Sequence, residues 1–358
     1  MQRVLFLRNG GTLEATVNQN GRKAPREGGS IPKEFFLYHE RQLGIEIISK
    51  MPLKDEEGKD RLEDSSESGK ATWIQDAREI ADHVNSHSVR KIVLGSGTDT
   101  KEYLANGLTF CLENLKELGI TILLTGSEIE WDHWNTDAPR NVSNSLYAVT
   151  KLPPGVFILF GPRVLLGCRT VKFHSNSFTG FESPNYPQIA EIGGDGRLKL
   201  FDHFVSSKSS ATTGVELSVF TDFSDPPFVT AVIPDSSPDI LYYAFDRGYP
   251  GILLSCYGLG NMPKRWRKVV EDLSKKIPIA ITTQCIQGGV KPEVYEVGAP
   301  ETAISCGDIT FSCSIVKLRW AIGKANGDIT MVRRLMMTSI HGELSGPEDV
   351  FLSEMVNK

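Results

Sequence analysis

Four short runs, residues 4–7 (VLFL), 92–94 (IVL), 122–124 (ILL) and 156–160 (VFILF), are apolar at every position rather than at alternate ones. A strand of that kind is buried on both faces, as in a parallel sheet covered by helices. Between the runs the period changes. Leu104, Leu108, Cys111, Leu115 and Leu118 follow steps of four and three, which predicts a helix over about 100–118. Trp73, Ile74, Ala77, Ile80, Ala81 and Val84 predict another over about 70–84. Strands alternating with helices give an α/β fold class, with a doubly wound, mainly parallel sheet.

A chain of 358 residues fits two domains. The segment 191–214 (EIGGDGRLKLFDHFVSSKSSATTG) is weakly patterned and rich in Gly, Ser and Thr, and it reads as a linker. It would separate an N-terminal α/β catalytic domain, 1–190, from a smaller C-terminal α/β domain, 215–358, that ends in a tail. In the second domain 215–220, 252–256 and 279–283 read as strands, and 263–276 and 313–325 as helices. Residues 236–248 (SSPDILYYAFDRG) predict a helix capped by Ser237, with Pro238 first and Gly248 at its end.

Composition narrows the function. A net charge of -5 argues against a partner held by phosphate neutralisation, so no nucleic acid is expected. No apolar run approaches the roughly 20 residues needed to span a bilayer, so no membrane partner is expected. The chain opens without a basic, then apolar, secretory pattern. The six cysteines are scattered, with no CxxC pair, and read mostly as small buried hydrophobes of a reducing compartment. The expected location is the cytoplasm.

In an open α/β sheet, ligands bind beyond the carboxyl ends of the strands. After the first run comes Gly10-Gly11-Thr12, and after the second comes GSGTDT with Thr98 and Asp99. The third is followed by TGSEIEWDHWNTDAPRN, and the fourth by a return segment carrying Lys172. GSGTDT alone fits a strand-to-helix turn with an Asp99–Glu102 capping pattern. As a dinucleotide fingerprint it fails, because Thr100 replaces the third glycine and Asp99 sits where a pyrophosphate would lie. A hydroxyl, a lysine and a carboxylate in one crevice suit nucleophilic catalysis, with Lys172 or Asp99 aiding proton removal from a threonine. Backbone N–H groups at the start of the 100–118 helix would hold an oxyanion.

The motifs NGGT, GTDT, TDAPRN, RTVKFHS, SPNY, YGLGNMP and TTQC occur in the order of the bacterial-type L-asparaginases. From Thr12 to about residue 323 the chain resembles that family, and YGLGNMP and TQC resemble its cytosolic type I branch. The resemblance implies hydrolysis of the side-chain amide of L-asparagine, or a close analogue, to aspartate and ammonia. Thr12 would form the acyl intermediate, and Thr98, Asp99 and Lys172 would complete the catalytic set. Ser65, eight residues before Trp73, and Ser66 would hold the substrate's α-carboxylate and α-amino ends, with Asp99 on the ammonium. Ser127 would join them as a substrate-binding residue. The resemblance implies no cofactor and no metal, a small amino-acid amide as partner, and a homodimer or homotetramer.

Several positions depart from the family pattern. The family carries a tyrosine in the loop after its first threonine, and LEATVNQNGRKAPREGG has none, Tyr38 being the next in sequence. EIEWDHWN brings Glu128, Glu130, Asp132 and two tryptophans towards the expected pocket. These departures keep two alternatives open: an amidase for a larger or substituted amide, and an amino-acid-binding homologue with weak turnover. The asparaginase-like component of the glutamyl-tRNA amidotransferase shares the expected fold but has an extra N-terminal domain, whereas this chain opens on its first strand. His83 and His87 lie four apart at a helix end, where a solvated role complementing the dipole is favoured over metal binding. Cys285 is read as a buried strand-end residue before a member of a second asparagine site. RWRK (265–268) reads as the solvent face of a helix.

Overall fold

The computed structural model describes residues 1–18, 20–21, 23–25, 28–201 and 214–346. They form two compact units, one of residues 1–183 with 188–220 and one of residues 184–187 with 221 onwards. No helix among the described residues is long and apolar enough to cross a membrane.

In the first unit the apolar runs are strands: β1 (Gln2–Arg8), β2 (Ile45–Lys50), β3 (Lys91–Gly95), β4 (Thr121–Thr125) and β5 (Gly155–Phe160). They pair in parallel, β1 between β2 and β3, then β4 and β5 beyond β3. Val4–Leu7, Ile92–Leu94 and Ile122–Leu124 are sealed from water, as side chains buried on both faces must be. The sheet continues antiparallel through β6 (Arg163–Leu166), β7 (Ala190–Ile192) and β8 (Leu198–Leu200). The full order is β8-β7-β6-β5-β4-β3-β1-β2. Helices α1 (Lys33–Leu43), α2 (Lys70–His87), α3 (Lys101–Cys111) and α4 (Ala138–Val149) connect the parallel strands.

The order 2-1-3-4-5 reverses direction between β1 and β3. The loops leaving those two strands therefore diverge to opposite faces and leave a crevice, the usual place for a ligand in such sheets. That crevice separates Gly10–Thr12 from Gly97–Asp99.

The second unit holds β9 (Phe228–Ala231), β10 (Ile252–Cys256), β11 (Ile279–Thr283) and β12 (Ile304–Ser305), all parallel. Its helices are α5 (Asp239–Asp246), α6 (Lys264–Leu273), α7 (Phe311–Lys324) and α8 (Ile329–Met336). Trp266 of α6 anchors the core at 1% exposure and donates its indole N–H to Ser236 O at 3.1 Å. Lys264, Arg265 and Lys268 face solvent around it.

Several sequence expectations are corrected. The helix expected over 100–118 stops at Cys111, where Leu112 turns extended and Leu112–Glu113 pairs with Ser218–Val219. That pairing draws 215–220 into the first unit, not to the head of the second sheet. The expected linker is structured over 191–200, where the end of β7 and all of β8 extend the main sheet. Its residues 202–213, and the chain from 347 onwards where a tail is expected, lie outside the described residues. Pro238 rather than Ser237 is the N-cap of α5, whose C-cap is Arg247, one residue before Gly248. Cys285 is exposed, whereas the other five cysteines are buried.

Candidate active site

The crevice is narrow because two glycines touch across it. A Cβ added to Gly11, whose φ is +68°, would lie 2.0 Å from the Gly97 Cα. One added to Gly97 would lie 3.1 Å from the Gly11 Cα and 2.4 Å from Ser65 Oγ. No side chain fits at either position without driving three loops apart. Thr12 and Thr98 each follow one of these glycines, so both stand at the same constriction. Thr12 opens a short 3₁₀ turn, Thr12–Glu14, that leads away from the strand. Glu14 anchors this turn: it is fully buried, pairs with Arg8 at 2.7 Å and accepts the Ser30 N–H at 2.5 Å.

Across the crevice Lys172 Nζ donates to Thr98 Oγ1 at 2.8 Å and to Asp99 Oδ1 at 2.7 Å. Thr98 is 6% exposed, whereas the Asp99 side chain is 65% open to solvent. The exposed ion pair adds little stability and serves to orient the lysine. Lys172 reaches the site because Val171–Lys172 pairs with Phe181–Glu182. Its backbone N–H is tied to the Glu102 carboxylate of α3. The expected Asp99–Glu102 cap is therefore replaced: Thr100 is the N-cap, and Glu102 positions the lysine strand instead.

The segment 64–67 lies beside Thr12 through backbone bonds, Gly11 N–H to Glu63 O at 2.9 Å and Glu63 N–H to Asn9 O at 2.7 Å. Ser65 is buried, and its hydroxyl oxygen accepts the Asp99 N–H at 3.3 Å. Its carbonyl accepts the Thr100 hydroxyl at 2.6 Å. Ser66 is exposed and donates its hydroxyl to Asp64 at 2.8 Å.

After β4 the loop is folded by Asp137, which accepts N–H groups from Glu128 and Ile129 at 3.1 Å and the Asn141 amide at 2.9 Å. This accounts for Asp137 and Asn141 in TDAPRN. Ser127 is fully buried, and its hydroxyl has no partner among the described residues. The same holds for Glu128 Oε1, and burial pushes the Glu128 carboxyl up against the opposing pull of Lys172. From the other side Lys23 donates to Glu128 O at 3.0 Å and pairs with Glu130 at 3.0 Å. The hairpin of Ala15–Val17 and Lys23–Pro25, which follows Thr12, is thereby fastened to this loop. Trp131 packs edge-on against Phe35 at 5.0 Å, whereas Trp134 is 89% exposed. Tyr38 lies on α1 at 59% exposure, against His39.

The seven residues singled out from sequence thus all belong to loops at the carboxyl ends of the first sheet or to strands packed on them. Thr98, Asp99, Lys172 and Ser65 form one bonded group. Thr12 joins it through the Gly11–Gly97 contact. Sequence reasoning missed Glu102 and the fully buried Lys101. The signal for Lys101 was a cation in the first turn of a helix, where the dipole disfavours it. Chemically, the group offers a hydroxyl hydrogen-bonded to an amine, an amine held by a carboxylate, and a second hydroxyl at the same constriction. That set suits acyl transfer.

The description "Asparaginase, N-terminal" matches residues 3–205, and "Glutaminase/Asparaginase C-terminal domain" matches residues 228–336. The L-asparaginase of Thermococcus kodakarensis is 32% identical over 351 residues, covering 96% of this chain and 99% of that protein. The solved structure of the thermostable L-asparaginase from that organism superposes with a TM-score of 0.80 at 30% identity, over 96% of this chain and 100% of its own. L-asparaginase 1 of Escherichia coli K12 is 29% identical over 295 residues, 80% of this chain and 83% of that protein. A glutamyl-tRNA(Gln) amidotransferase component of Pyrococcus horikoshii is 28% identical over 284 residues, 76% of this chain but 63% of that longer protein. With both of its domains matched along most of its length, the chain belongs to the asparaginase family.

Proposed function

We propose that this protein hydrolyses the side-chain amide of L-asparagine, giving L-aspartate and ammonia through a threonine ester. The observation that carries this reading is Lys172 Nζ bonded to both Thr98 and Asp99, opposite Thr12 at the β1/β3 switch point. Thr12 Oγ1 attacks the amide carbon, its proton passes to the departing nitrogen, and ammonia leaves. Water then adds to the ester carbon while one of its protons is relayed through the Thr98–Lys172–Asp99 group to Thr12 Oγ1, so that aspartate is released and Thr12 regains its hydroxyl. Ser65, Ser66 and Asp99 receive the charged α-groups of the substrate. Such charge-assisted bonds are about twice as strong as neutral ones, which selects a free amino acid. Ser127, buried with an unused hydroxyl, stands at the same loop junction and offers a bond to the substrate.

Ammonia release from L-asparagine that is lost in Thr12→Ala and in Thr98→Ala tests the assignment. Undiminished release in both variants overturns it. The second reading, an amidase for a larger or substituted amide, is favoured by the exposed Trp134 and by the lack of a tyrosine after Thr12. A rate on an N-substituted asparagine above that on asparagine would select it. The working location is the cytoplasm and the working assembly a homodimer or homotetramer, the latter checked by light scattering. Exposed Ile286, Val294 and Tyr295 offer apolar surface for such contacts.

A further inference from the structure

Lys101 is the first residue of α3, yet its side chain is fully buried. Its Nζ donates to Ser96 O at 3.0 Å, to Ser96 Oγ at 2.8 Å and to Thr125 O. These acceptors end two adjacent strands: Ser96 follows β3 and stands two residues before Thr98, and Thr125 closes β4 two residues before Ser127. Ser96 passes the connection on, because its hydroxyl donates to Gly97 O at 3.3 Å. The junction is built for this contact. A Cβ added to Gly126 would lie 2.4 Å from Ser96 O and 3.0 Å from Lys101 Nζ. Only glycine leaves room for the ammonium between the two loops.

An ammonium has three N–H groups and meets three oxygens here. A neutral amine has two N–H groups and turns a lone pair towards the third oxygen, leaving a buried carbonyl or hydroxyl without its donor. We propose that Lys101 is a positioning residue whose protonated side chain clamps the loop of Thr98 and Asp99 to the loop of Ser127 and Glu128. When the proton leaves, the clamp opens and the two halves of the site lose their mutual register. This inference rests on the amidohydrolase reading for its effect on rate, but not for the clamp itself.

The clamp works in a useful range. Burial, with the like charge of Lys172 added, pushes Lys101 down to about 7, and Glu128 pulls the other way. Among the described residues, those are the two charged groups acting on it. The groups in contact with it from the ends of β3 and β4, Ser96, Thr125 and Gly126, do not titrate.

Two measurements test the proposal. In the wild-type protein without ligand, the amide NMR signals of Thr98 and Ser127 are followed from about pH 6 to about pH 9, together with the Lys101 side-chain carbon. All three are expected to move with one midpoint near neutrality. Static signals of Thr98 and Ser127 while Lys101 titrates would overturn the clamp, and so would a Lys101 that stays charged throughout. In Lys101→Met, kcat/KM for L-asparagine is expected to fall by about tenfold to a hundredfold at acid pH, as for a misplacement of about 1 Å. The deficit narrows as pH rises, because wild-type Lys101 loses its proton too. A ratio of wild type to variant that is constant with pH points to packing alone and rejects the proposal. A wild type with no asparagine turnover defeats the functional reading, and the NMR titration still decides the clamp. It decides equally if Lys101→Met fails to fold.

Discussion

The side-chain amide of Asn9 donates to Asp76 Oδ2 at 2.6 Å, joining the end of β1 to the middle of α2 inside the first unit. Asn9 is 4% exposed and Asp76 is fully buried, and Asp76 Oδ1 has no partner among the described residues. A single neutral donor does not replace the water that an ionised carboxylate gives up. Burial, reinforced by the charges of Glu63 and Glu79, pushes Asp76 up to about 8 against the opposing bond from Asn9. The folded protein therefore holds a proton here that the unfolded chain releases near its ordinary value of 3.8.

That difference fixes a sign. Between the unfolded value of 3.8 and the folded value of about 8, the native state binds the extra proton, so its stability declines as pH rises. The limiting slope is about 1.4 kcal/mol per pH unit for one group. Urea denaturation across this window should show a falling free energy in the wild type and a flatter one in Asp76→Asn. Parallel curves for the two proteins would mean that Asp76 does not hold the proton.

In the second unit, Lys317 and Glu343 form a fully buried pair at 2.6 Å. Lys317 also donates to Met336 O at 2.9 Å and Thr338 O at 2.6 Å, and Glu343 accepts the N–H groups of Ile340 and His341. Burial alone would raise the Glu343 carboxyl, but Lys317 and these bonds hold it below the usual range. Lys317→Met leaves the carboxylate uncompensated and should cost about 3–5 kcal/mol. Adding Glu343→Gln should recover part of that loss. If the single variant melts with the wild type, the pair carries no such burden.

How much of this is legible follows from the kind of signal each part leaves. The parallel strands announce themselves because burial on both faces demands unbroken apolar runs such as 156–160. The edge strands do not: Leu198–Leu200 has a half-exposed pattern that reads as linker, and only pairing with Ala190–Ile192 makes it a strand. Phe228–Ala231 is equally silent, a short and partly exposed strand directly after a proline pair. Thr12, Thr98 and Lys172 stand out because strand ends and ordered motifs mark them. Glu102 and Lys101 reach backbone groups distant in sequence, Lys172 N–H and Thr125 O; no local pattern encodes the first contact, and the second leaves only the trace of a cation in the first turn of a helix.

The contact between Gly97 and Ser65 gives a steric prediction. Gly97 does not have the positive φ that favours glycine, so an alanine there is opposed only by its neighbours. Its Cβ would meet Ser65 Oγ at 2.4 Å and Ser65 Cβ at 2.6 Å. Ser65 must then move, taking the bond to the Asp99 N–H with it. Gly97→Ala should lower kcat/KM by about a hundredfold, the scale of a 1 Å displacement. Gly194→Ala, with nothing within 4 Å of its Cβ, serves as the control. Equal rates in both variants would show that Ser65 yields without cost to the site.

The division of labour between the two threonines can be separated chemically. If Thr12 carries the acyl group and the Thr98–Lys172–Asp99 group prepares the water, the two halves fail at different steps. Loss of a general acid or base typically costs about 10²–10⁴ in rate. Lys172→Met removes the donor to both Thr98 and Asp99, so it should slow ester hydrolysis more than ester formation. Intact-protein mass spectrometry after mixing with L-asparagine should then show an aspartyl adduct, and peptide mapping should place it on Thr12. Thr12→Ala should show no adduct at all. Asp99→Asn keeps a hydrogen-bond acceptor beside the lysine but loses the charge that would pair with a substrate ammonium, so its defect should appear in KM as well as in kcat. An adduct on Thr98 would reverse the assignment of nucleophile, and its absence from Lys172→Met under slow turnover would place Lys172 in the first step.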